Sequence, residues 1–105
     1  MRAGFNPAAY RVSVTLRILV VNWLDRENPQ AGGAEEHLHQ SFGRLAEEGH
    51  QVTALVSGWP GCVGRTHLDG IEVHRTGSRY TFPVSAPKYY RRHLVDCDFD
   101  VVVED

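Results

Sequence analysis

Residues 17–57, RILVVNWLDRENPQAGGAEEHLHQSFGRLAEEGHQVTALVS, contain the pattern that decides the fold of this chain. The stretch opens with a short apolar, β-branched run, Arg17–Asn22, which is typical of a strand buried on both faces in a parallel sheet. From Ala34 to Glu48, apolar side chains recur three or four residues apart on one face, which predicts an amphipathic helix. Gly49 follows where a left-handed helix-ending residue is favoured, and Gln51–Ser57 resumes the strand pattern. Strand, glycine loop, helix, glycine and strand form a βαβ unit.

The region after this unit admits two arrangements. Trp59–Asp69 contains two glycines and a proline, which favours an irregular loop, and Gly70–Val73 then predicts a third, shorter strand. Alternatively, Asp69–Gly70 is the turn of a small hairpin that joins Arg65–Leu68 to Ile71–His74. We favour a single strand that follows a turn.

The last third of the chain is predicted to hold a loop at Thr76–Pro87, a short helix at Lys88–Val95 and a buried strand at Phe99–Val103. Four strands in this order predict an α/β fold with a Rossmann-like parallel sheet, whose ligand crevice lies at the carboxyl ends of the strands. Residues 1–15 are interpreted as an N-terminal extension. Residues 16–105 are interpreted as a partial domain, the opening part of a larger α/β protein.

Length, charge and cysteine content disfavour several classes of protein. A chain of 105 residues is one domain at most. Its formal charge of -2 gives no positive field for the phosphates of a nucleic acid. Cys62 and Cys97 stand in no CxxC or Cys/His cluster, so reduced thiols in a cytoplasmic protein fit best. The start of the chain has no apolar stretch of signal-peptide length, so secretion and membrane spanning are disfavoured.

Two adjacent glycines, Gly32 and Gly33, separate the first strand from the helix. The N–H groups in the first turn of a helix are unpaired and the helix dipole adds partial positive charge, so such a turn suits an anion. Without a Cβ, both glycines let a phosphate or a sugar approach the main chain. The alternative is turn chemistry alone, and the local pattern does not decide between the two.

The loop is a poor fit to a dinucleotide-binding domain. It lacks the G-x-G-x-x-G spacing, and the second strand ends at Ser57-Gly58 without an acidic residue to bind a ribose hydroxyl. A nucleotide-dependent oxidoreductase is therefore only the third-ranked interpretation.

Four pieces of sequence follow one another in an order that is typical of a known family. They are RILVVN (17–22), GGAEEHLHQSFGRLAEEGHQVTALVS (32–57), DGIEVHRTG (69–77) and DFDVVVED (98–105). Together they resemble the amino-terminal domain of GT-B glycosyltransferases of family 4, over residues 17–105. The resemblance implies a retaining, metal-independent transfer of a sugar from a nucleotide-sugar donor to a lipid, glycan or small-molecule acceptor, bound between two Rossmann-like domains.

The resemblance also implies roles for individual residues. The loop at Gly32 and Gly33, with Glu35 after it, faces the cleft beside the donor diphosphate, and the amino-terminal domain mainly receives the acceptor. The nucleotide-sugar is a substrate, and no cofactor or metal ion is implied. The family's paired glutamates, E-x7-E, belong to a carboxyl-terminal domain without a counterpart in residues 1–105. We therefore assign no catalytic residue and expect this chain alone to be inactive.

Polar and aromatic residues stand just past the first strand, at the expected edge of the crevice. Asn22 could hydrogen-bond an acceptor and Trp23 could stack on a sugar face, although a tryptophan near a strand end is more often part of the core. Asp25 lies at the same edge. Glu35 falls at the second helical position, where electrostatics with the helix dipole explain a carboxylate better than a catalytic role does.

The histidines predict no metal site. His37 and His39 are two apart on a helix, so their side chains point about 200 degrees apart and cannot chelate one ion. Glu35 and His39 share a face, yet nothing supplies a third ligand. His50, after the helix-ending glycine, is interpreted as a structural cap residue.

One basic, aromatic cluster remains, Lys88–His93 (KYYRRH). It could lie on anionic lipid head groups and give a peripheral contact at the inner face of a membrane. We favour a solvated helix with Tyr90 and Leu94 packed inward. The rival to a transferase is a non-catalytic α/β binding module such as a flavodoxin-like domain, which would need five strands.

Overall fold

The computed structural model describes residues 14–104, and these form a five-stranded sheet with a helix on each face. The elements in chain order are β1 (Arg17–Val21), α1 (Gly33–Glu47), β2 (Gln51–Ser57), β3 (Arg65–Leu68), β4 (Ile71–Thr76), α2 (Phe82–Tyr89), a π-helical turn (Tyr90–Leu94), a 3-10 turn (Val95–Cys97) and β5 (Val101–Glu104). The strand order is β3-β4-β2-β1-β5; β3 pairs antiparallel to β4, and the other pairs are parallel. This α/β fold with a mixed, mostly parallel sheet is compatible with a Rossmann-like arrangement. The predicted extension, residues 1–15, lies outside the described residues except for its last two.

The predicted βαβ unit is confirmed. β1 and β2 pair in parallel, with Ile18 opposite Val52. The three central residues of β1 are buried, as expected for a strand covered on both faces. One core cluster joins β1, β2 and β4 to the apolar stripe of α1, of which Leu38 and Phe42 are members. The other joins the opposite face of the same strands to α2.

The end of α1 is tied back to the start of β1. Gly49 has a φ of +102° and donates its N–H to Ala46 O at 3.0 Å, while the His50 N–H donates to Leu45 O at 3.1 Å. This pair of hydrogen bonds is the Schellman motif, so the predicted glycine ending is confirmed. The His50 side chain does something else, because its Nδ1 accepts the N–H of Leu16 at 3.1 Å.

The chain connections diverge between β1 and β5. From β1 the chain crosses one face of the sheet through α1 to reach β2, and it then continues outward to β4. From β4 it returns through α2, on the opposite face, and passes β2 and β1 to reach β5. The two crossovers therefore leave a topological switch point between the carboxyl ends of β1 and β5, the place where open α/β sheets bind ligands.

The preferred arrangement of residues 59–75 is wrong, and the hairpin is right. β3 pairs antiparallel with β4, with Leu68 opposite Ile71. Asp69 and Gly70 form its two-residue turn, with φ values of 56° and 80°. Positive φ at both central positions is the type I′ geometry, which Asp-Gly favours. The sheet consequently has five strands rather than the predicted four.

The second helix begins earlier than predicted. α2 starts at Phe82, whereas we predicted a loop up to Pro87. Two prolines misled the prediction, but Pro83 lies in the first turn, where its missing N–H is no loss. Pro87 lies inside α2, and the widened turn Tyr90–Leu94 follows it.

The predicted burial of the last strand is also wrong. β5 covers Val101–Glu104 and lies at an edge of the sheet, paired with β1. Its Val101 and Val102 side chains remain 40% and 52% exposed. Within residues 14–104 no further strand pairs with the outer side of β5, so an apolar composition alone overestimated its burial.

Candidate functional site

A cavity of about 440 Å³ lies at the switch point, between α2 and the carboxyl ends of β1 and β5. It is lined by Leu19, Val21, Asn22, Trp23, Leu55, Phe82, Pro83, Ala86, Pro87, Tyr90, Val102 and Glu104. The walls are apolar, and the hydrogen-bonding side chains among them include Asn22, just past β1, and Glu104, at the end of β5. Apolar walls with a few polar groups are the usual composition of a small-molecule site.

Both residues predicted on the acceptor side, Asn22 and Trp23, line this cavity. The Trp23 ring is 45% exposed, packs 5.7 Å from the Phe82 ring between centroids, and donates its Nε1–H to Arg79 O at 2.8 Å. Trp23 is therefore partly core, and it also offers a fixed aromatic surface with a satisfied indole N–H. The Asn22 Nδ2 donates to Leu24 O at 2.9 Å.

The loop between β1 and α1 is held by hydrogen bonds at several points. The Ser57 N–H donates to Trp23 O at 2.9 Å, which extends the contact of β1 with β2 beyond the strand. Asp25 Oδ1 and Asn28 Oδ1 each accept the N–H two residues later, at 2.8 and 2.9 Å. These Asx turns replace regular secondary structure along the loop and define its path.

A buried ion pair fastens the same loop to β4. Asp25, which we expected at the edge of the crevice, is fully buried instead. Its two carboxylate oxygens accept hydrogen bonds from Arg75 Nε and Nη2 at 2.8 and 3.1 Å. Arg75 also donates to Glu27 Oε1 at 2.9 Å and lies 4.5 Å from the centre of the Trp59 ring. Asp25 is thus an anchor of the site loop and faces no ligand.

The charge of Arg75 is secured by its partners. Burial by itself lowers the pKa of a guanidinium, because it disfavours the charged form. The hydrogen bonds that Arg75 donates to Asp25 and Glu27, with the negative charges of these residues, together outweigh burial, and the pKa of Arg75 is raised above its ordinary value. Arg75 therefore carries its positive charge in the folded protein.

Neither glycine of the loop is required by packing. Gly32 precedes α1 in an extended conformation with a φ of -134°, and Gly33 is the first helical residue. A Cβ built on Gly32 would come no closer than 4.0 Å to another group, and one built on Gly33 would meet nothing within 4 Å. Neither residue has a positive φ. Neither crowding nor a positive φ therefore requires glycine at these two positions, although Gly32 is the N-cap of α1, where glycine is a favoured residue.

Glu35 has a structural role in this conformation. Its Oε1 accepts the N–H of Gly32 at 2.8 Å, which is one half of a capping box. The carboxylate consequently occupies the space that an anion at the start of α1 would use. Glu35 is the third residue of α1 rather than the second, and its contact with the helix end is this hydrogen bond.

The two helix histidines, His37 and His39, differ in environment. His37 is exposed, whereas His39 is 1% exposed, with its Nε2 accepting the Arg26 N–H at 3.4 Å and its Nδ1 lying 3.6 Å from Asp69 Oδ2. Among residues 14–104, no three His, Cys, Asp or Glu side chains are grouped so as to hold a metal ion. His39 therefore serves the packing between α1 and the loops around it.

The burial of His39 predicts a pH-dependent stability. Burial lowers the pKa of His39, which the nearby carboxylates of Asp25 and Asp69 only partly oppose. The unfolded chain then binds more protons than the folded one between the lowered pKa and about 6.5, so stability falls as the pH drops through that window. We expect wild type to lose up to about 1.4 kcal/mol per pH unit relative to His39→Gln.

Urea unfolding between about pH 7.5 and about pH 5 measures this difference. His37→Gln is the matched control, because it removes an exposed histidine from the same helix, and it should follow wild type. Equal pH dependence of wild type and His39→Gln would show that His39 does not titrate differently on folding.

Comparisons with family models, curated proteins and solved structures find no match. The function must therefore be inferred from the fold and the site. Of the helices within residues 14–104, none combines the length and the apolar character that crossing a membrane requires.

The prediction from the sequence did not include several residues that line the cavity at the switch point. Glu104 ends β5 in the same way that Asn22 follows β1, so its position at a strand end was a usable signal. Phe82, Ala86 and Tyr90 were missed for another reason, since they line the cavity through a helix that we predicted to begin later. In the basic cluster Lys88–His93 and the residue after it, we favoured a packing with Tyr90 and Leu94 turned inward. Leu94 is buried and Tyr90 is partly buried, both in the core cluster that contains α2.

Proposed function

We propose that this chain is the amino-terminal, Rossmann-like domain of a retaining, metal-independent GT-B glycosyltransferase. In this proposal the protein transfers a sugar from a nucleotide-sugar donor to an acceptor, and a second domain carries most of the donor contacts. The observation that carries the proposal is a glycine-flanked helix start with unpaired N–H groups, at the same edge of the sheet as the switch-point cavity. The ordered motifs of residues 17–105 resemble those of family 4 glycosyltransferases. This resemblance is the basis for proposing that the transfer retains the anomeric configuration and needs no metal ion.

The start of α1 is suited to the donor diphosphate. The first N–H within the helix to find a main-chain acceptor is that of Glu36, which donates to Gly32 O at 3.3 Å. The N–H groups of Gly33, Ala34 and Glu35 have no acceptor among residues 14–104. Unpaired N–H groups and the helix dipole together attract an anion. No packed group lies against either glycine, so phosphate oxygens can reach these donors once the Glu35 carboxylate moves aside.

The cavity is suited to the acceptor. Its apolar walls favour an acceptor with an apolar part, and the exposed face of Trp23 can stack on a sugar or another flat group. Asn22 and Glu104 are the side chains that would bind its hydroxyl groups. A lipid-linked or small-molecule acceptor fits this lining better than a wholly polar glycan. Cys62 and Cys97 are free, which suits a cytoplasmic enzyme.

Glu35→Gln is expected to strengthen the binding of pyrophosphate at the start of α1. The Glu35 carboxylate now accepts the Gly32 N–H, so an incoming anion must displace a like charge. The neutral amide reduces that repulsion, and we expect several-fold tighter binding. The same change should lower stability by about 0.3–1 kcal/mol, because it removes a negative charge from the first turn. Binding and stability therefore move in opposite directions, which titration and urea unfolding can detect separately.

Amide chemical shifts of the ¹⁵N-labelled chain test the proposed donor site. Inorganic pyrophosphate, UDP and GDP are titrated in turn, and we expect saturable shifts at Gly32, Gly33 and Ala34 for at least one of them. Gly32→Val should abolish these shifts. Gly64→Val is the matched control, because Gly64 is also exposed, has no positive φ and has open space at its Cβ. Shifts elsewhere with none at the glycine loop would refute the site.

One observation favours the non-catalytic alternative. A flavodoxin-like binding module requires five strands, and this sheet has five. However, the strand beyond the predicted four is β3, which pairs antiparallel with β4 at the edge of the sheet. Because β3 is antiparallel, it adds no crevice of the kind found at the carboxyl ends of parallel strands. A free-standing module would bind its ligand with no second domain, and its affinity would be unchanged by residues beyond this chain.

A further inference from the structure

A second cavity, of about 290 Å³, lies on another face of α2 and carries a different chemistry. It is lined by Thr76, Ser85, Lys88, Tyr89, Arg92 and His93. Thr76 ends β4, so this cavity also opens at the carboxyl edge of the sheet. The other five residues have the spacing of one helical face, three or four residues apart along α2 and the turn after it.

The lining is cationic and contains no carboxylate. Lys88 and Arg92 carry full positive charges, and His93 can carry one. Within residues 14–104, none of the three forms an ion pair. Lys88 and Arg92 line the same cavity as exposed cations without a counter-ion, so an anion in the cavity would reduce the repulsion between them.

Ser85 supplies a hydroxyl group without a partner. Its Oγ is buried and forms no hydrogen bond with residues 14–104. The Ser85 hydroxyl is packed against Gly77, which has a φ of +63°. A Cβ at position 77 would collide with this hydroxyl and would lie 2.6 Å from Thr81 Oγ1. A buried hydroxyl left unpaired is costly, and natural proteins rarely keep one without a use. A ligand oxygen at this wall would satisfy it.

The aromatic wall of the cavity is held in place from behind. The Tyr89 hydroxyl oxygen lies 2.6 Å from His74 Nδ1, and the Tyr89 ring packs 4.5 Å from the ring of His93 between centroids. His74 is fully buried and bonded through its Nε2 to Glu72. Contacts within the protein thus hold the Tyr89 ring in place, which lowers the entropic cost of binding.

We propose that this second cavity is a binding site for a phosphomonoester group. A phosphomonoester carries close to two negative charges at neutral pH and three acceptor oxygens. These match the ammonium of Lys88, the guanidinium of Arg92 and the hydroxyls of Ser85 and Thr76. The site is separate from the switch-point cavity, because its lining residues are all different. It does not depend on the proposed transferase function.

Titration of the full 105-residue chain with inorganic phosphate and with glycerol 3-phosphate tests the site. We expect saturable amide shifts at Thr76 and over residues 85–93. Arg92→Ala should weaken binding by about tenfold to a hundredfold, since it removes charge-assisted hydrogen bonds. Arg91→Ala is the matched control, because Arg91 is the exposed neighbour outside the lining, and its affinity should stay within about twofold of wild type.

Ser85→Ala separates binding from structure. It should weaken phosphate binding severalfold, while the melting temperature of the ligand-free chain stays equal or rises, because an unpaired buried hydroxyl is removed. A lower melting temperature with unchanged binding would mean that the hydroxyl only serves packing. Equal affinities for wild type, Arg92→Ala and Arg91→Ala would overturn the proposal.

Vesicles distinguish a soluble phosphate compound from a lipid head group. Vesicles with phosphatidic acid present the same phosphomonoester, and vesicles of phosphatidylcholine alone present none. Arg92-dependent binding of glycerol 3-phosphate indicates a soluble ligand. Arg92-dependent binding to phosphatidic acid vesicles alone indicates a lipid. Binding to neither probe, or vesicle binding that Arg91→Ala and Arg92→Ala reduce equally, would contradict the site and indicate a merely basic surface.

Discussion

Replacing Asp25 with alanine is expected to lower the free energy of unfolding by about 3–5 kcal/mol. The Asp25 side chain is fully buried and accepts two hydrogen bonds from Arg75, at 2.8 and 3.1 Å. Without Asp25, the buried guanidinium retains one carboxylate partner, Glu27, whose side chain is 46% exposed. Since domains of this size are stable by about 5–15 kcal/mol, such a loss is a large share of the total.

Urea unfolding followed by tryptophan fluorescence measures the loss. Arg26→Ala is the matched control, because the Arg26–Asp69 pair is also 2.8 Å long while its side chains are 33% and 41% exposed. We expect that control to lose about 1 kcal/mol or less. The double replacement Asp25→Leu with Arg75→Met should be more stable than Asp25→Ala, because it leaves no unpaired buried charge.

Asp25→Ala should also affect the candidate site at the β1–α1 loop. Asp25 connects the β1–α1 loop to β4, so its loss should loosen the segment that carries Trp23 and the two glycines. Ligand binding at the start of α1 should weaken even at temperatures where Asp25→Ala remains folded. If Asp25→Ala lowered the free energy of unfolding by less than about 1 kcal/mol, the buried ion pair between Asp25 and Arg75 would not be an important source of stability.

Gly32→Val is expected to lower the rate of sugar transfer at least about 100-fold in the protein expressed from its complete coding sequence. Under the proposed function, the donor diphosphate lies against the main chain at the start of α1. A branched side chain at Gly32 would fill that space and keep the phosphates from the N–H groups of Gly33 and Ala34. The extended backbone of Gly32, with a φ of -134°, accepts valine without strain.

Comparison of activity with stability isolates this effect. Gly32→Val should cost about 1 kcal/mol of stability, because valine is a poor residue at a helix start and no packed atom is displaced. Gly64→Val should retain activity close to that of wild type. A folded Gly32→Val protein with wild-type turnover would remove the glycine loop from the mechanism.

The sequence predicted the part of the fold in which local signals agree. In residues 17–57 the strand periods, the helix period and the glycine at the helix end all indicate a βαβ unit, and the structure confirms it. Prediction failed where local signals conflict with position in the fold. The predicted loop Thr76–Pro87 contains two prolines, yet α2 holds Pro83 in its first turn and Pro87 just before the widened turn Tyr90–Leu94. β5 is apolar but lies at the edge, which no local pattern reveals.

The candidate site was predictable where it depends on strand ends. Asn22 and Trp23 line the cavity at the carboxyl end of β1, a position that follows directly from the strand pattern. Asp25 was misplaced, since its partner Arg75 lies 50 residues later and only the folded chain brings them together. The second cavity escaped prediction for a similar reason. Its cations were visible as a cluster, but the unpaired Ser85 hydroxyl and the end of β4 were not.

The most direct test of the central claim is a transfer assay with the product of the complete coding sequence that contains residues 1–105. The enzyme is incubated with UDP-, GDP- and ADP-sugars, a cell extract supplies soluble and lipid acceptors, and EDTA removes metal ions. We predict release of the nucleoside diphosphate from one donor, together with a glycosylated product that keeps the donor's anomeric configuration, at a rate that EDTA does not change. A folded protein that transfers no sugar from any of these donors, or that transfers one only with a metal ion, would contradict the proposed function.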